Sequence, residues 1–389
     1  MRIYVHVPFC RSKCRYCAFY SEPLHHAGSE RTARYLTAIR DEWAWRHARL
    51  TALYSHAPVV TSVFFGGGTP SLLPAAELSG LLDMLRAALP FAPDTEITLE
   101  GNPESLIAPG KLATLARAGF NRLSMGAQSM DKRDLALLGR AHQPEDVRQA
   151  VRLAREAGFA NVGVDLIWGL PGQSARAWLA QLQAVLELEP EHVSAYGLTL
   201  EPGTPLANDV ARGVMSLPDE AALAEMYLSG CALLEQYGFE QYEISNFARP
   251  GFACRHNWGY WTGDDYLGIG PAAVSTLGRC RLSNPEDLDC WAARVSARVE
   301  PDMETLDETT VAEERAMLRL RTSAGLNLDE FAALAGRDLL AGQERFVQDL
   351  VNAGLARLEG RVLRLTRQGM LVSNDILSRL FEQIASTPG

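Results

Sequence analysis

The chain has 389 residues, of which 47% are hydrophobic, and its formal net charge is −10, so we expect two or three domains with large buried cores. The acidic balance argues against broad nucleic-acid binding, and we expect no nucleic acid as a partner. The chain starts without a charged segment and an apolar run, and it has no apolar stretch of membrane-spanning length, so we expect a cytoplasmic protein without a transmembrane segment.

The first predicted strand, residues 3–7, leads directly into three closely spaced cysteines. Cys10, Cys14 and Cys17 follow a Cys-x3-Cys-x2-Cys spacing. Three thiolates on one short loop can bind three irons of a [4Fe–4S] cluster, and the fourth iron is then left without a protein ligand. An open iron of this kind can accept a small chelating molecule.

Two other kinds of site fit part of this pattern. Zinc normally takes four protein ligands, so a fourth would have to come from His6 or from a distant cysteine. A ferredoxin-type cluster would need another cysteine close by, whereas position 19 is Phe and the next cysteine is Cys231. The odd total of seven cysteines fits a reducing compartment better than a disulfide scaffold. We favour the open cluster because of the motifs that follow it.

Strand-like apolar runs alternate with helical patterns along the next part of the chain. A helix is predicted from Pro144 to about Gly158, and another is predicted to begin at the N-cap Ser174. Apolar strands joined by helices are typical of a parallel sheet with two buried faces. We expect a closed or partly closed β/α barrel. The further predicted strands cover residues 59–65, 96–100, 122–127, 162–168 and 193–200.

Polar residues follow the ends of these strands, where the functional residues of a parallel barrel gather. The run 66–70 (Gly-Gly-Gly-Thr-Pro) follows the second strand, and its glycines allow the backbone to approach a ligand closely or simply to form a tight turn. Glu100 ends the third strand, Gln128 ends the fourth, and Asp165 lies in the fifth. Carboxylates can bind ribose hydroxyls, although each residue taken singly fits a structural hydrogen-bonding role equally well.

The pattern changes near residue 225 and divides the chain into three predicted parts. These are a barrel at 1–225, an aromatic and Gly-rich connecting region at 226–300, and a mainly helical, winged-helix-like domain at 301–389. A hairpin that turns at Glu359-Gly360 supports the winged-helix interpretation. This fold could suggest DNA binding, but we favour a packing or docking role because a fold alone is weak evidence of function.

A histidine lies among aromatic residues in the connecting region, at 255–261. Histidine is a common axial ligand of haem iron, so His256 is a candidate haem ligand. Tryptophan and tyrosine supply flat faces that can stack on a macrocycle. The alternative is a histidine that is hydrogen-bonded within an aromatic core, and the run by itself favours that alternative.

Together these motifs resemble the radical SAM family of oxygen-independent coproporphyrinogen III dehydrogenases, and most of all its haem chaperone branch. The resemblance implies an incomplete parallel β/α barrel of the radical SAM type followed by a helical C-terminal domain. It also implies a [4Fe–4S] cluster with S-adenosylmethionine at the open iron. The segments that carry it are 10–17, 66–70, 122–128, 165–173 and His256-Asn257-x2-Tyr260-Trp261, in the order in which the family has them.

The resemblance further implies roles for individual residues. Cys10, Cys14 and Cys17 would ligate the cluster, and His256 would bind haem. No residue is assigned a catalytic role. The residues that would contact S-adenosylmethionine are Tyr4, Tyr16 through its backbone, Gly67, Gly68, Thr69, Glu100, Gln128, Arg140 and Asp165.

Three features favour the haem chaperone branch over the dehydrogenases. Phe19 stands where the dehydrogenases have a fourth cysteine, the chain begins directly at the first strand without their N-terminal extension, and the His256 run is characteristic of the chaperones. Ala18 departs from the acidic residue that many chaperone relatives have there. The implied function is to bind haem and transfer it to an acceptor protein, such as a respiratory enzyme. The alternatives are radical decarboxylation of coproporphyrinogen III propionates and radical chemistry on another tetrapyrrole or natural product.

Overall fold

A computed structural model describes residues 1–53 and 57–385 of the chain. Its strands are β1 (Arg2–Val7), β2 (Phe9–Cys10), β3 (Glu22–Pro23), β4 (Val60–Gly67), β5 (Phe91–Gly101), β6 (Arg122–Gln128), β7 (Asn161–Trp168), β8 (His192–Gly197), β9 (Glu240–Gln241), β10 (Asn246–Ala248), β11 (Tyr266–Ile269), β12 (Val274–Leu277), β13 (Cys280–Ser283), β14 (Asp302–Thr305), β15 (Leu326–Asn327), β16 (Ala356–Glu359) and β17 (Val362–Leu365).

Its helices are α1 (Leu24–Leu53), α2 (Ala75–Ala88), α3 (Pro103–Leu106), α4 (Lys111–Ala118), α5 (Lys132–Leu138), α6 (Pro144–Glu156), α7 (Ala175–Leu186), α8 (Pro205–Ala211), α9 (Glu220–Gln236), α10 (Arg255–Thr262), α11 (Leu288–Ser296), α12 (Glu308–Arg319), α13 (Leu328–Ala335), α14 (Glu344–Asn352), α15 (Arg367–Leu371) and α16 (Ser373–Ala385). None of these helices is both long enough and apolar enough to cross a membrane.

One twelve-stranded sheet dominates the fold, in the order β14-β13-β12-β11-β1-β4-β5-β6-β7-β8-β10-β9. The six predicted strands correspond to β1 and β4–β8, which pair in parallel, and β11 adds a parallel neighbour to β1. The outermost strands, β14 and β9, do not pair with each other in the described chain, so the sheet is open. The prediction of a radical SAM type α/β fold with a parallel sheet is confirmed.

Local signals fix the helices that follow these strands. Helix α6 begins at Pro144 after Gln143, whose backbone N–H donates to the Asp146 carboxylate at 2.8 Å, and the chain turns out of the helix at Gly158 with a φ of +93°. Helix α7 begins after Ser174, whose hydroxyl accepts the N–H of Ala177 at 3.2 Å. Both helices lie where the apolar periodicity predicts them.

The C-terminal part is mainly helical and carries the predicted hairpin. Strands β16 and β17 pair in an antiparallel manner around Gly360, which has a φ of +60°, and β15 pairs with the other edge of β17. Its buried residues Leu320, Phe331 and Leu363 belong to the same apolar core as the interior of the sheet. The division at residues 225 and 300 stays a prediction, since strands of the connecting region also join the main sheet.

Candidate cluster and cofactor site

A cavity of about 840 Å³ opens at the carboxyl ends of the parallel strands. It brings together all the residues predicted to bind the cluster and S-adenosylmethionine, whereas His256 is not among its lining residues. The predicted cluster and S-adenosylmethionine residues that line the cavity are Tyr4, Cys10, Cys14, Tyr16, Cys17, Gly67, Gly68, Thr69, Glu100, Gln128, Arg140 and Asp165.

The three cysteines share one loop on the wall of this cavity. The loop leaves β1, pairs briefly as β2 with β3, and then turns so that the N–H of Cys17 donates to the carbonyl of Cys14 at 3.3 Å. All three are free thiols of intermediate exposure. Burial raises the pKa of the Cys10 and Cys17 thiols. Three free thiols facing one cavity fit a cluster that leaves an iron open toward that cavity.

The glycine run closes β4 against the cysteine loop. A Cβ on Gly68 would lie 2.7 Å from the carbonyl oxygen of Phe9, and Gly67 has a φ of +107°, so both positions require glycine. The N–H of Gly67 donates to Glu100 at 3.2 Å, and the N–H groups of Gly68 and Thr69 donate to the carbonyls of Val7 and Phe9 at 2.9 and 2.7 Å. These three N–H groups therefore already have partners within the protein.

Two partly buried carboxyl groups face the cavity from β5 and β7. Asp165 accepts hydrogen bonds from the hydroxyls of Ser194 at 2.6 Å and Ser124 at 3.2 Å. Burial, together with the nearby charge of Asp165, raises the pKa of Glu100 to about 8. Burial also raises the pKa of Asp165, against the hydroxyl donors that lower it. Without a ligand, Glu100 therefore favours its protonated, neutral form near neutral pH.

Arg140 and Gln128 complete this side of the cavity. The guanidinium of Arg140 donates to Cys14 Sγ at 3.4 Å and to the carbonyl of Gly126 at 2.6 Å, while its buried Nε has no partner among the described residues. Gln128 ends β6 with a φ of +65°, just after a register shift between β6 and β7. Such an irregularity turns a side chain away from the normal alternation, here into the cavity. The unpartnered donor of Arg140 suits a carboxylate ligand.

His256 lies beneath the cavity, in the first turn of α10, and its side chain is completely buried. Its Nδ1 lies 3.0 Å from the Ser62 hydroxyl, its Nε2 lies 2.9 Å from the Tyr260 hydroxyl, and its ring stacks on Phe64 at 5.1 Å between ring centroids. Burial, reinforced by nearby arginines, lowers the pKa of His256 to about 3, so the ring is neutral. In this conformation neither ring nitrogen is free to bind iron, and Tyr260 is the residue of the motif that lines the cavity.

Sequence reasoning missed most of the outer walls of the cavity. Tyr196 lies near the end of β8 and Glu201 follows it, so the strand-end rule that located Asp165 could also have found them. Tyr266 begins β11 and Glu286 lies between β13 and α11, where no motif marks them. Arg140 is the single Arg or Lys among the cavity-lining residues in the described part of the chain. We call the aromatic and acidic lining residues outside the predicted set the outer walls of the cavity. They are Phe19, Tyr20, Tyr196, Glu201, Tyr260, Tyr266 and Glu286.

Comparison with known proteins gives two family matches. The Radical SAM superfamily matches residues 4–180, which include the cysteine loop, the glycine turn and Asp165. The HemN C-terminal domain matches residues 306–372. The two matches cover the parallel strands up to β7 and most of the helical C-terminal part.

Individual relatives match over nearly the whole chain. "Heme chaperone HemW" from Mycobacterium tuberculosis (strain CDC 1551 / Oshkosh) is 38% identical over 97% of this chain and 94% of its own length, and the protein of the same name from Bacillus subtilis (strain 168) is 34% identical over 98% and 99%. The solved structure of coproporphyrinogen III oxidase (HemN) from Escherichia coli, a radical SAM enzyme, superposes with a TM-score of 0.80 at 26% identity, over 97% of this chain and 89% of that one. The chain therefore belongs to the radical SAM family of oxygen-independent coproporphyrinogen III dehydrogenase-like proteins, in the branch that includes curated relatives named heme chaperones.

Proposed function

We propose that this protein binds haem in the cytoplasm and transfers it to a haem-requiring acceptor protein, with a [4Fe–4S] cluster and S-adenosylmethionine as resident cofactors. The observation that carries the proposal is the character of the outer cavity, which is aromatic and poor in cations, in a chain whose relatives are named heme chaperones. Flat aromatic side chains suit the faces of a macrocycle.

The inner half of the cavity would hold the cofactors. Cys10, Cys14 and Cys17 would ligate the cluster, and the unpartnered Nε of Arg140 would neutralise the carboxylate of the methionyl group. The carbonyl oxygens of the glycine turn would accept from its ammonium group, since the amides there already have partners. When bound, the cofactor pair supplies one-electron chemistry.

The carboxyl groups of Glu100 and Asp165 would meet the ribose hydroxyls. The remaining predicted contacts, from Tyr4, the backbone at Tyr16, and Gln128, lie on the same cavity wall. A carboxylate that accepts a hydrogen bond from a hydroxyl group stays ionised more readily, so this contact would lower the raised pKa of Glu100. The predicted residues would thus surround one ligand.

The outer half of the cavity disfavours a polyanionic substrate. Coproporphyrinogen III carries several propionates, and each would need a cationic or hydrogen-bonding partner on entry. Glu201 and Glu286 present negative charge there instead, and Arg140 already contacts Cys14. Haem can avoid this conflict by entering edge first, with its propionates at the open mouth beside Phe19, whose side chain is 73% exposed.

His256 is the proposed axial ligand of haem iron, and its surroundings set a condition on that role. The ring can reach an iron atom only if it gives up its hydrogen bond to Tyr260 and moves away from Ser62 and Phe64. If it does not move, His256 acts on haem only by holding Tyr260 in the cavity wall. The two roles, axial ligand of the iron and support for Tyr260, predict different absorption spectra of bound haem, so spectroscopy can separate them.

The experiment is an anaerobic haem titration followed by absorption spectroscopy, with wild type, His256→Ala and Ser62→Ala. Wild type should show a saturable shift of the haem spectrum. If His256 is the ligand, His256→Ala should change the spectrum of bound haem, whereas Ser62→Ala should keep the wild-type spectrum because it only frees the ring. His47→Ala, on helix α1, is the matched control and should leave the titration unchanged. Absence of saturable haem binding by wild type would overturn the carrier function.

A second candidate function is oxygen-independent coproporphyrinogen III dehydrogenation, which the likeness to the HemN structure over 97% of the chain favours. Anaerobic incubation with coproporphyrinogen III, a reductant and S-adenosylmethionine tests it. We expect no protoporphyrinogen, because Arg140 is the single Arg or Lys that lines the cavity in the described part of the chain, so the propionates would lack cationic partners. Its formation would replace the carrier proposal by the enzymatic one.

A further inference from the structure

A chain of side-chain hydrogen bonds connects two of the three cluster cysteines, and Asn102 lies at its centre. Its carbonyl oxygen Oδ1 lies 2.6 Å from Arg140 Nη2, and its amide Nδ2 lies 3.3 Å from the Thr69 hydroxyl. At one end the Thr69 hydroxyl lies 3.5 Å from Cys10 Sγ, and at the other Arg140 Nη1 lies 3.4 Å from Cys14 Sγ. Asn102 itself touches neither sulfur.

The direction of every bond in this chain follows from one residue. A guanidinium can only donate, so the atom of Asn102 that faces Arg140 must be the carbonyl oxygen. The other end of the amide is then the NH2 group, which donates to Thr69. The single hydroxyl proton of Thr69 is therefore available for Cys10, which has no proton of its own once it is a cluster thiolate. Arg140 donates directly to Cys14.

We infer that Asn102 is a positioning residue that holds two hydrogen-bond donors against two cluster thiolates, and that it thereby raises the reduction potential of the cluster. Hydrogen bonds to cluster sulfur stabilise the more negative, reduced state. Without Asn102, the Thr69 hydroxyl loses the donor that turns its own proton toward Cys10. Arg140 also loses an acceptor that fixes its orientation toward Cys14. This inference concerns the cluster alone and does not depend on haem binding.

The test is an anaerobic redox titration of the reconstituted cluster, monitored by electron paramagnetic resonance without S-adenosylmethionine. Thr69→Val removes the hydroxyl donor and should lower the equilibrium constant for reduction of the cluster about tenfold. For a one-electron couple, this is a shift of the reduction potential by about 59 mV toward negative values. Thr69→Ser keeps the hydroxyl and should retain the wild-type potential. Asn102→Ala should shift the potential in the same direction as Thr69→Val.

A double variant separates positioning from a general effect on the site. If Asn102 acts through Thr69 and Arg140, Asn102→Ala should shift the potential less in the Thr69→Val background than in wild type, because one of its two targets is gone. Fully additive shifts, or an unchanged potential in Asn102→Ala, would overturn the inference. Asn352→Asp, an exposed position in α14, is the control for charge changes far from the cluster.

If Asn102→Ala does not retain the cluster, Asn102→Asp provides a second test. Asn102→Asp keeps an acceptor for Arg140 but offers no donor to Thr69, whose hydroxyl then turns to the carboxylate instead of Cys10. Asn102→Asp should shift the reduction potential toward negative values more in the wild-type background than in the Thr69→Val background, where only the added charge acts. Equal shifts in the two backgrounds would contradict the proposed chain.

Discussion

At the scale of single residues, Glu100 couples the stability of the ligand-free protein to pH. Its pKa is about 8 in the folded protein, against 4.5 for the ordinary carboxyl group, because burial disfavours the charged form. Between those two values the folded state holds a proton that the unfolded state releases, so the free energy of unfolding falls as the pH rises from roughly 5 to 8. We expect Glu100→Gln to be more stable than wild type at pH 8 by about 1–3 kcal/mol and to match it at pH 4.5.

Urea unfolding of both proteins at several pH values checks this prediction. Glutamine keeps a carbonyl oxygen for the N–H of Gly67 and has no proton to lose, so its stability should depend less on pH. Parallel pH profiles for the two proteins would show that Glu100 is ionised in the folded state. The same substitution should weaken S-adenosylmethionine binding, because the proposed ribose contact loses its charge.

The sequence predicts individual site residues where a simple geometric rule applies. Glu100, Gln128 and Asp165 were located because the carboxyl ends of parallel strands share one rim. The proposed role of Asn102 could not be predicted, because it depends on a side-chain contact with Arg140, which lies 38 residues further along the chain. The surroundings of His256 were equally inaccessible, since spacing along the chain does not reveal which ring nitrogens are hydrogen-bonded.

At the scale of secondary structure, the least predictable element is α10. Its aromatic, Gly-containing sequence resembles irregular structure, yet the segment is helical because a buried carboxylate from β5 satisfies its first turn. Glu96 accepts the N–H of Arg255 at 3.0 Å, the N–H of His256 at 3.1 Å and the thiol of Cys254 at 3.4 Å. The first N–H groups of a helix have no partner within the helix, and they favour a negative charge.

We expect Glu96→Ala to lower the free energy of unfolding by about 2–4 kcal/mol, because it leaves buried N–H groups without an acceptor. Equilibrium urea denaturation measures this loss. Glu220→Gln is the matched control, since Glu220 is an exposed carboxylate in the first turn of α9, and it should cost less than about 0.5 kcal/mol. A similar small effect for both variants would mean that α10 does not depend on the carboxylate.

At the scale of the whole molecule, the C-terminal part and the main sheet share one apolar core. The N–H of Ser323 donates to the carbonyl of Tyr242 at 3.0 Å, and the Tyr227 hydroxyl lies 3.9 Å from the sulfur of Met370. Met370 and Tyr227 both belong to the continuous apolar core that runs through the sheet. Elements that share a well-packed core unfold together more readily than elements joined by a linker.

We therefore expect a single calorimetric unfolding transition for the ligand-free protein, and a substitution in the C-terminal part should shift all of it. Met370→Ala removes a buried side chain from α15 where it packs against α9, and it should lower the free energy of unfolding by about 2–4 kcal/mol. Met303→Ala deletes a side chain that is 67% exposed and should change it by less than about 0.5 kcal/mol. Two separate transitions, with only one moved by Met370→Ala, would show that the C-terminal part is an independent folding unit, and the cavity at the strand ends would then gain no stability from it.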